Sequence, residues 1–149
     1  MNEPTLVIAI RHGETAWNVE TRIQGQLDVP LNEHGRDQVR RLAYAMAGEP
    51  LAALYASDLS RAYDTARAIA GRVDLPVVAE PALRERRFGI FEGLTYQEID
   101  ERWPELSQRW RRRDPEFSPE GGETLQGFYE RAVEAASRLA AQHAGQTIA

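Results

Sequence analysis

The sequence predicts a three-layer α/β domain, with a mostly parallel central sheet and helices on both faces. Short apolar runs at residues 5–10, 51–56 and 76–78 alternate with amphipathic stretches of ten residues or more. The runs carry no polar alternation, which is the pattern of strands covered on both faces. The chain has 149 residues, 42% of them hydrophobic and 28% charged, which is enough for a single domain over residues 1–149 with its own core.

Each element follows from local signals. Residues 5–10 read as a buried strand at the centre of the sheet, and residues 11–32 break up into polar residues, glycines and Pro30, a long loop of the kind that carries function. Asn32 caps a helix over about 33–47 whose inner face is Val39, Leu42, Ala43 and Met46, with Gly48 as its stop. After the second strand, Ser57 and Asp58 open a helix over about 59–71 that turns Ala62, Thr65, Ala66 and Ile69 inward. A short third strand lies at 76–78. The arginine-rich stretch 81–93 is irregular, and Thr95 with Glu98 then makes a capping box for a short helix that Pro104 ends or redirects. Together these form an excursion over the sheet. A long helix over about 124–142 presents Leu125, Phe128, Ala132, Val133, Ala136, Leu139 and Ala140, stops at Gly145, and leads into another buried strand at 146–149.

Composition narrows the function. The net charge of −5 opposes nonspecific binding of nucleic acid, and the run Arg109-Trp110-Arg111-Arg112-Arg113 reads as a solvated helix face. With no cysteine, thiol nucleophiles, thiolate metal sites and disulfides are excluded, which suits a cytoplasmic protein. The opening Met1-Asn2-Glu3-Pro4 lacks the basic end and apolar run of a signal peptide, and no stretch approaches the ~20 apolar residues of a membrane span, so neither export nor membrane insertion is expected. Neither an Asp-x-Asp cluster nor a histidine pair at ligand spacing is present, so no metal or other cofactor is expected.

In open parallel sheets ligands bind at the carboxyl ends of the strands. The first strand ends there on Arg11, His12 and Gly13. An imidazole can attack phosphorus, a guanidinium matches phosphate oxygens with two parallel hydrogen bonds, and glycine lets backbone N–H groups approach an anion. The second strand leads to Arg61 in the first turn of a helix, near its positive dipole end. Glu85, set among Arg84, Arg86 and Arg87, is a carboxyl suited to giving a proton to a leaving oxygen and later taking one from water. Taken singly, each is equally a surface side chain, and spacing alone does not separate the two readings of Glu85.

Five strings in order, RHGETAWN, RIQGQLDVPLNEHG, SDLSRAYDTA, LRERRFGIFEG and GGET, resemble the histidine phosphatase superfamily, the phosphoglycerate mutase-like group, over nearly the whole chain. The resemblance implies that fold. It implies that His12 is the nucleophile that becomes phosphorylated, that Arg11 and Arg61 hold the phosphoryl group, and that Glu85 is the proton donor. By the same matching Asn18, Gln24 and Gly25 line the substrate pocket. The resembled pattern closes its pocket with a second histidine, followed by glycine, after the strand that opens at Thr147. The 149 residues are accordingly expected to be the front part of such a domain, truncated at its C-terminal side. His34 and His143 do not follow apolar strands and read as surface residues.

The expected activity is hydrolysis of a small-molecule phosphomonoester through a phosphohistidine on His12, with a homodimer as an allowed assembly. The alternatives are mutase-type transfer to a second hydroxyl and a phosphate-ligand binding domain that has lost turnover. The resembled mutases carry a lysine after the third motif, and this chain contains none, which favours hydrolysis.

Overall fold

A computed structural model describes residues 3–149. Met1 and Asn2, half of the opening tetrapeptide read above, lie outside the described residues. Strands β1 (Leu6–Val7), β2 (Leu51–Ala56), β3 (Val77–Ala79) and β4 (Thr147–Ile148) form one parallel sheet in the order β1-β4-β2-β3. Between them run helices α1 (Ala16–Val19), α2 (Glu33–Met46), α3 (Ser60–Val73), α4 (Tyr96–Arg102), α5 (Pro104–Arg111) and α6 (Leu125–Ala141).

The strand order dictates the layers. The connections from β1 to β2 and from β2 to β3 cross the sheet in one direction, whereas that from β3 to β4 runs back. Right-handed crossovers therefore put α2 and α3 on one face and α6 on the other. The side chains of β2 agree: Leu54 and Ala56 pack with Ala43 and Met46 of α2 and with Ala66 and Ile69 of α3. Tyr55, which points the opposite way by the period of a strand, shares a hydrogen bond of 2.7 Å with Nε2 of His143 just beyond α6. The three-layer α/β architecture is the one the sequence predicts.

Several local readings change. The first strand is shorter than residues 5–10 and stands at the edge of the described sheet, not at its centre, with Leu6 61% and Val7 47% exposed. Its partner is β4, with Leu6 paired to Thr147 and Val7 to Ile148. An apolar run records a preference for burial without recording what covers it. Helix α6 buries Ala135 and Leu139 and leaves Val133 43% exposed, so its inner stripe runs through Phe128, Ala132, Ala135 and Leu139 instead of the predicted face through Val133 and Ala136. Helix α3 begins at Ser60 with Leu59 as a cap that makes no side-chain hydrogen bond. Asp28 of the long loop caps it from outside by accepting from the Ser60 amide at 2.7 Å, while Asp58 is held by the Arg84 fork at 2.6 and 2.5 Å. Asn32 caps α2 as predicted, accepting from the Gly35 amide at 2.7 Å.

Residues 81–124 and the loop before α2 build a second small core over one end of the sheet. Phe91 and Ile99 are fully buried there with Ile23 and Phe117, against Phe88, Trp103 and Trp110. The Thr95–Glu98 capping box forms, and Pro104 starts α5 instead of extending α4.

Glycine allows a close approach between the turn after β1 and the start of α2. A Cβ on Gly35 would stand 2.1 Å from the Glu14 carbonyl oxygen, and one on Gly13 would stand 2.8 Å from the Gly35 oxygen and 3.0 Å from Leu31 and Val39. The chain leaving β1 is thus pressed onto the start of α2. Gly35→Ala is expected to cost about 1–3 kcal/mol of stability, the usual range for overpacking, measured by urea denaturation. Gly71→Ala, whose Cβ would meet open space inside α3, is expected to gain about 0.5–1 kcal/mol in the same assay.

Candidate active site

The turn after β1 presents His12 half-buried. Its Nδ1 lies 2.6 Å from the Gly13 carbonyl oxygen, and a carbonyl only accepts, so Nδ1 carries the proton and Nε2 holds the free lone pair. Burial is the largest influence on the ring and lowers its pKa. The Gly13 hydrogen bond works in the other direction, the charges of Arg61 and Arg11 lower it further, and that of Glu85 raises it. All three sequence-predicted charged partners therefore bear on this one imidazole. Gly13 itself plays a different part from the one expected, because its N–H donates to Thr65 Oγ1 at 3.1 Å and is not turned to an anion. The Thr65 hydroxyl in turn donates to the Arg61 carbonyl at 2.7 Å, locking the turn after β1 to the first turn of α3.

Arg61 is only 2% exposed. Its guanidinium donates to the carbonyls of Leu27 (2.8 Å) and Gly25 (2.6 Å), which leaves three of its five N–H groups for a ligand. Burial pulls its pKa down, against the opposing charges of Glu85, Asp28 and Glu92. No carboxylate is bonded to it among the described residues, so this is a buried cation backed by neutral carbonyls. Arg11 is exposed beside His12.

The structure gives the three predicted pocket-lining residues distinct jobs. The Thr15 hydroxyl, fully buried, lies between Asn18 Oδ1 (3.0 Å) and Gln24 Oε1 (2.8 Å), and Asn18 also accepts from the Thr15 amide at 2.9 Å. Both side-chain oxygens are thereby fixed, and the amide nitrogens carry no protein acceptor among the described residues. Gly25 takes a left-handed φ of +52°, and a Cβ there would stand 2.2 Å from Glu92 Oε1. That oxygen accepts from the amides of Gln26 (3.1 Å) and Phe88 (3.0 Å), stitching the loop behind Arg61 to the segment that carries Glu85.

Glu85 is exposed, and its Oε1 accepts from the Arg86 amide at 2.6 Å. It lines a cleft of about 400 Å³ with Arg86, Phe88, Tyr96, Trp110 and Phe128. A second cleft, about 310 Å³ and mainly apolar, runs from His12 and Ser57 between α3 and α6. The two remaining histidines lie elsewhere: His34 is exposed in the first turn of α2, and His143, read as a surface residue, is instead half-buried and bonded to Tyr55 and Gln146.

A family model of the histidine phosphatase superfamily (branch 1) matches residues 7–149. The chain belongs to that superfamily. It is 41% identical over 146 residues to phosphoglycerate mutase-like protein 4 of Arabidopsis thaliana, covering 95% of this chain and 63% of that one. It is 38% identical over 151 residues to a metal-independent phosphoserine phosphatase of the same plant, covering 99% of this chain and 63% of that one. The Bacillus stearothermophilus YhfR structure superposes with a TM-score of 0.89 at 36% identity, covering 97% of this chain and 71% of that one. This histidine phosphatase chain thus spans about two thirds of the length of such relatives.

Reading the sequence missed Thr65, Gln26, Glu92, Glu123 and Arg131. Thr65, Gln26, Glu92 and Glu123 sit inside the quoted motifs, where residue type was visible and partner was not. No helix among the described residues is long and apolar enough to cross a membrane.

The electrostatics of His12 have a sign that NMR can read. Its pKa is expected below 6.5, the ordinary histidine value. Arg11→Gln removes a cation and should raise it, whereas Glu85→Gln removes an anion and should lower it further, as followed by titrating the imidazole carbon protons.

Proposed function

We propose that this chain belongs to a phosphomonoester hydrolase that works through a phosphohistidine on His12. The observation that carries the reading is the Nδ1–H donation to the Gly13 carbonyl, which aims a neutral Nε2 lone pair into a site ringed by Arg11 and Arg61. The relative called a metal-independent phosphoserine phosphatase supports the same chemistry. Nε2 attacks phosphorus, the N–P bond forms and the P–O bond breaks, and the departing oxygen keeps that electron pair and takes the Glu85 proton. Water then attacks the phosphohistidine and gives a proton back to Glu85. The N–P bond breaks, inorganic phosphate leaves, and His12 is neutral again.

Arg61 and Arg11 stabilise the charge that builds on the equatorial oxygens during both steps. Asn18 and Gln24 offer their free amide N–H groups to the phosphoryl oxygens, and Gly25 serves by holding Arg61. The leaving alcohol occupies the cleft beside Glu85, whose wall of Phe88, Tyr96, Trp110 and Phe128 favours an apolar or aromatic group, with Arg111 and Arg113 at its rim for an acidic one. Mutase-type transfer differs only in that a second hydroxyl, in place of water, accepts the phosphoryl group. The substrate is a small molecule, met without nucleic acid or membrane.

Hydrolysis of a panel of aryl, sugar and amino-acid phosphomonoesters tests the reading. The unsubstituted protein should release phosphate, His12→Asn should release none, and Arg61→Met should lose at least about 10²-fold, the usual cost of one preorganised donor. Binding of phosphate without release from any member of the panel would leave a ligand-binding domain. Phosphate exchange between two alcohols in place of release would establish the mutase.

A further inference from the structure

The proton donor is held in an unusual way. The Glu85 side chain is exposed and, among the described residues, is bonded only to the Arg86 amide, so packing does not aim it. Where its carboxyl can reach depends on where its backbone lies.

Gln26 Nε2 donates to the Glu85 carbonyl at 3.1 Å, but the segment before and around it is gathered by a side chain of α6. Arg131, on α6, uses all five of its N–H groups on two targets. Nη1 donates to the carbonyls of Ala82 (2.8 Å) and Arg84 (2.9 Å), and Nη2 to that of Glu85 (3.3 Å). Nη2 and Nε also donate to the Glu123 carboxylate at 2.5 and 3.3 Å. Glu123 in turn accepts from the Arg87 amide at 2.9 Å, donates its own amide to the Arg87 carbonyl at 3.0 Å, and accepts from Arg86 Nε at 3.2 Å on its main-chain oxygen. Its carboxyl is pushed up by desolvation, but the Arg131 and Arg87 hydrogen bonds and charges outweigh this and hold it below the ordinary carboxylate range, so the pair stays ionised near neutral pH. The pair is mostly sheltered, with side-chain exposures of 24% and 21%.

We infer that Arg131, locked by Glu123, is the positioning residue for the Glu85 proton donor, setting the segment 82–87 so that the exposed carboxyl reaches the leaving oxygen. The inference rests on the phosphatase reading above. A lysine at 131 would keep the charge but, as a compact ammonium with three donors on one nitrogen, could not bridge three carbonyls and a carboxylate together. A role confined to stability would lower activity equally on every substrate. A role through the acid depends on how much protonation the leaving group needs.

The test is kcat/KM, which reports events up to phosphoenzyme formation, for aryl phosphates of rising leaving-group pKa, with melting temperatures for each protein. Arg131→Lys should stay within about twofold of the parent on 2,4-dinitrophenyl phosphate, which leaves unprotonated, and fall about tenfold or more on phenyl phosphate, within the ~10²–10⁴ that general acids contribute. Glu85→Gln should show the same selectivity, and Arg131→Lys in that background should cost nothing further. Glu123→Gln, which keeps an acceptor but removes the charge, should fall between parent and Arg131→Lys. A uniform loss across the series, no loss, additive losses in the double variant, or failure of both Arg131→Lys and Glu123→Gln to fold would overturn the inference. Failure of the unsubstituted protein to hydrolyse any aryl phosphate would instead remove the phosphatase reading, and the inference with it.

Discussion

A guanidinium, that of Arg61, which is 2% exposed and bonded to no carboxylate among the described residues, is the constraint around which this molecule is arranged. Burying an unpaired ion is expensive unless dipoles replace its water. Here the dipoles are the Gly25 and Leu27 carbonyls, so the long loop after β1 must fold back across the start of α3. That path needs a left-handed residue at Gly25 with no Cβ, since the space is taken by Glu92. Glu92 in turn ties the loop to the Phe88 amide and so to the segment carrying Glu85. One buried cation thus fixes three pieces of chain that are far apart in sequence. Its remaining three N–H groups carry no protein acceptor among the described residues, so an anion could complete its solvation.

The imidazole beside it is prepared in a complementary manner. Its Nδ1–H donates to the Gly13 carbonyl, Nε2 keeps its lone pair, and burial together with the charges of Arg61 and Arg11 disfavours the charged form. On the proposed phosphohistidine reading, the arginine charges that would stabilise a phosphoryl group add to burial in keeping His12 neutral, so the same charges would serve binding and attack. The glycine that follows His12 is required by contact with the Gly35 carbonyl and the Leu31 and Val39 side chains, and its amide belongs to Thr65. The tight turn therefore fixes the backbone that carries His12.

The parts legible in the sequence were those whose chemistry lies in residue type and whose place is set by a strand end. Arg11, His12 and Arg61 follow apolar runs, and the topology brings those ends together. The parallel layers were legible from alternation, and the caps at Asn32 and Thr95 from short-range spacing. What escaped were contacts between side chains and distant backbone: Arg131 reaching the carbonyls of residues 82, 84 and 85, Glu92 accepting from Gln26, and Asp28 capping α3 in place of Ser57 or Asp58. No residue pattern records which carbonyl a guanidinium will find. The central position expected for the first strand failed for a related reason, since Leu6 and Val7 have the composition of covered residues while standing exposed at the sheet edge.

The role of His12 is tested most directly by catching its phosphorylated form. Protein quenched in alkali during turnover of an aryl phosphate, then digested and sequenced by mass spectrometry, should carry a base-stable, acid-labile phosphoryl group on the peptide spanning residues 5–22, assigned to His12 and to Nε2 by its phosphorus chemical shift. Label on any other residue, or phosphate release with no phosphoenzyme at any time point, would contradict the geometry in which Nε2 is the attacking atom.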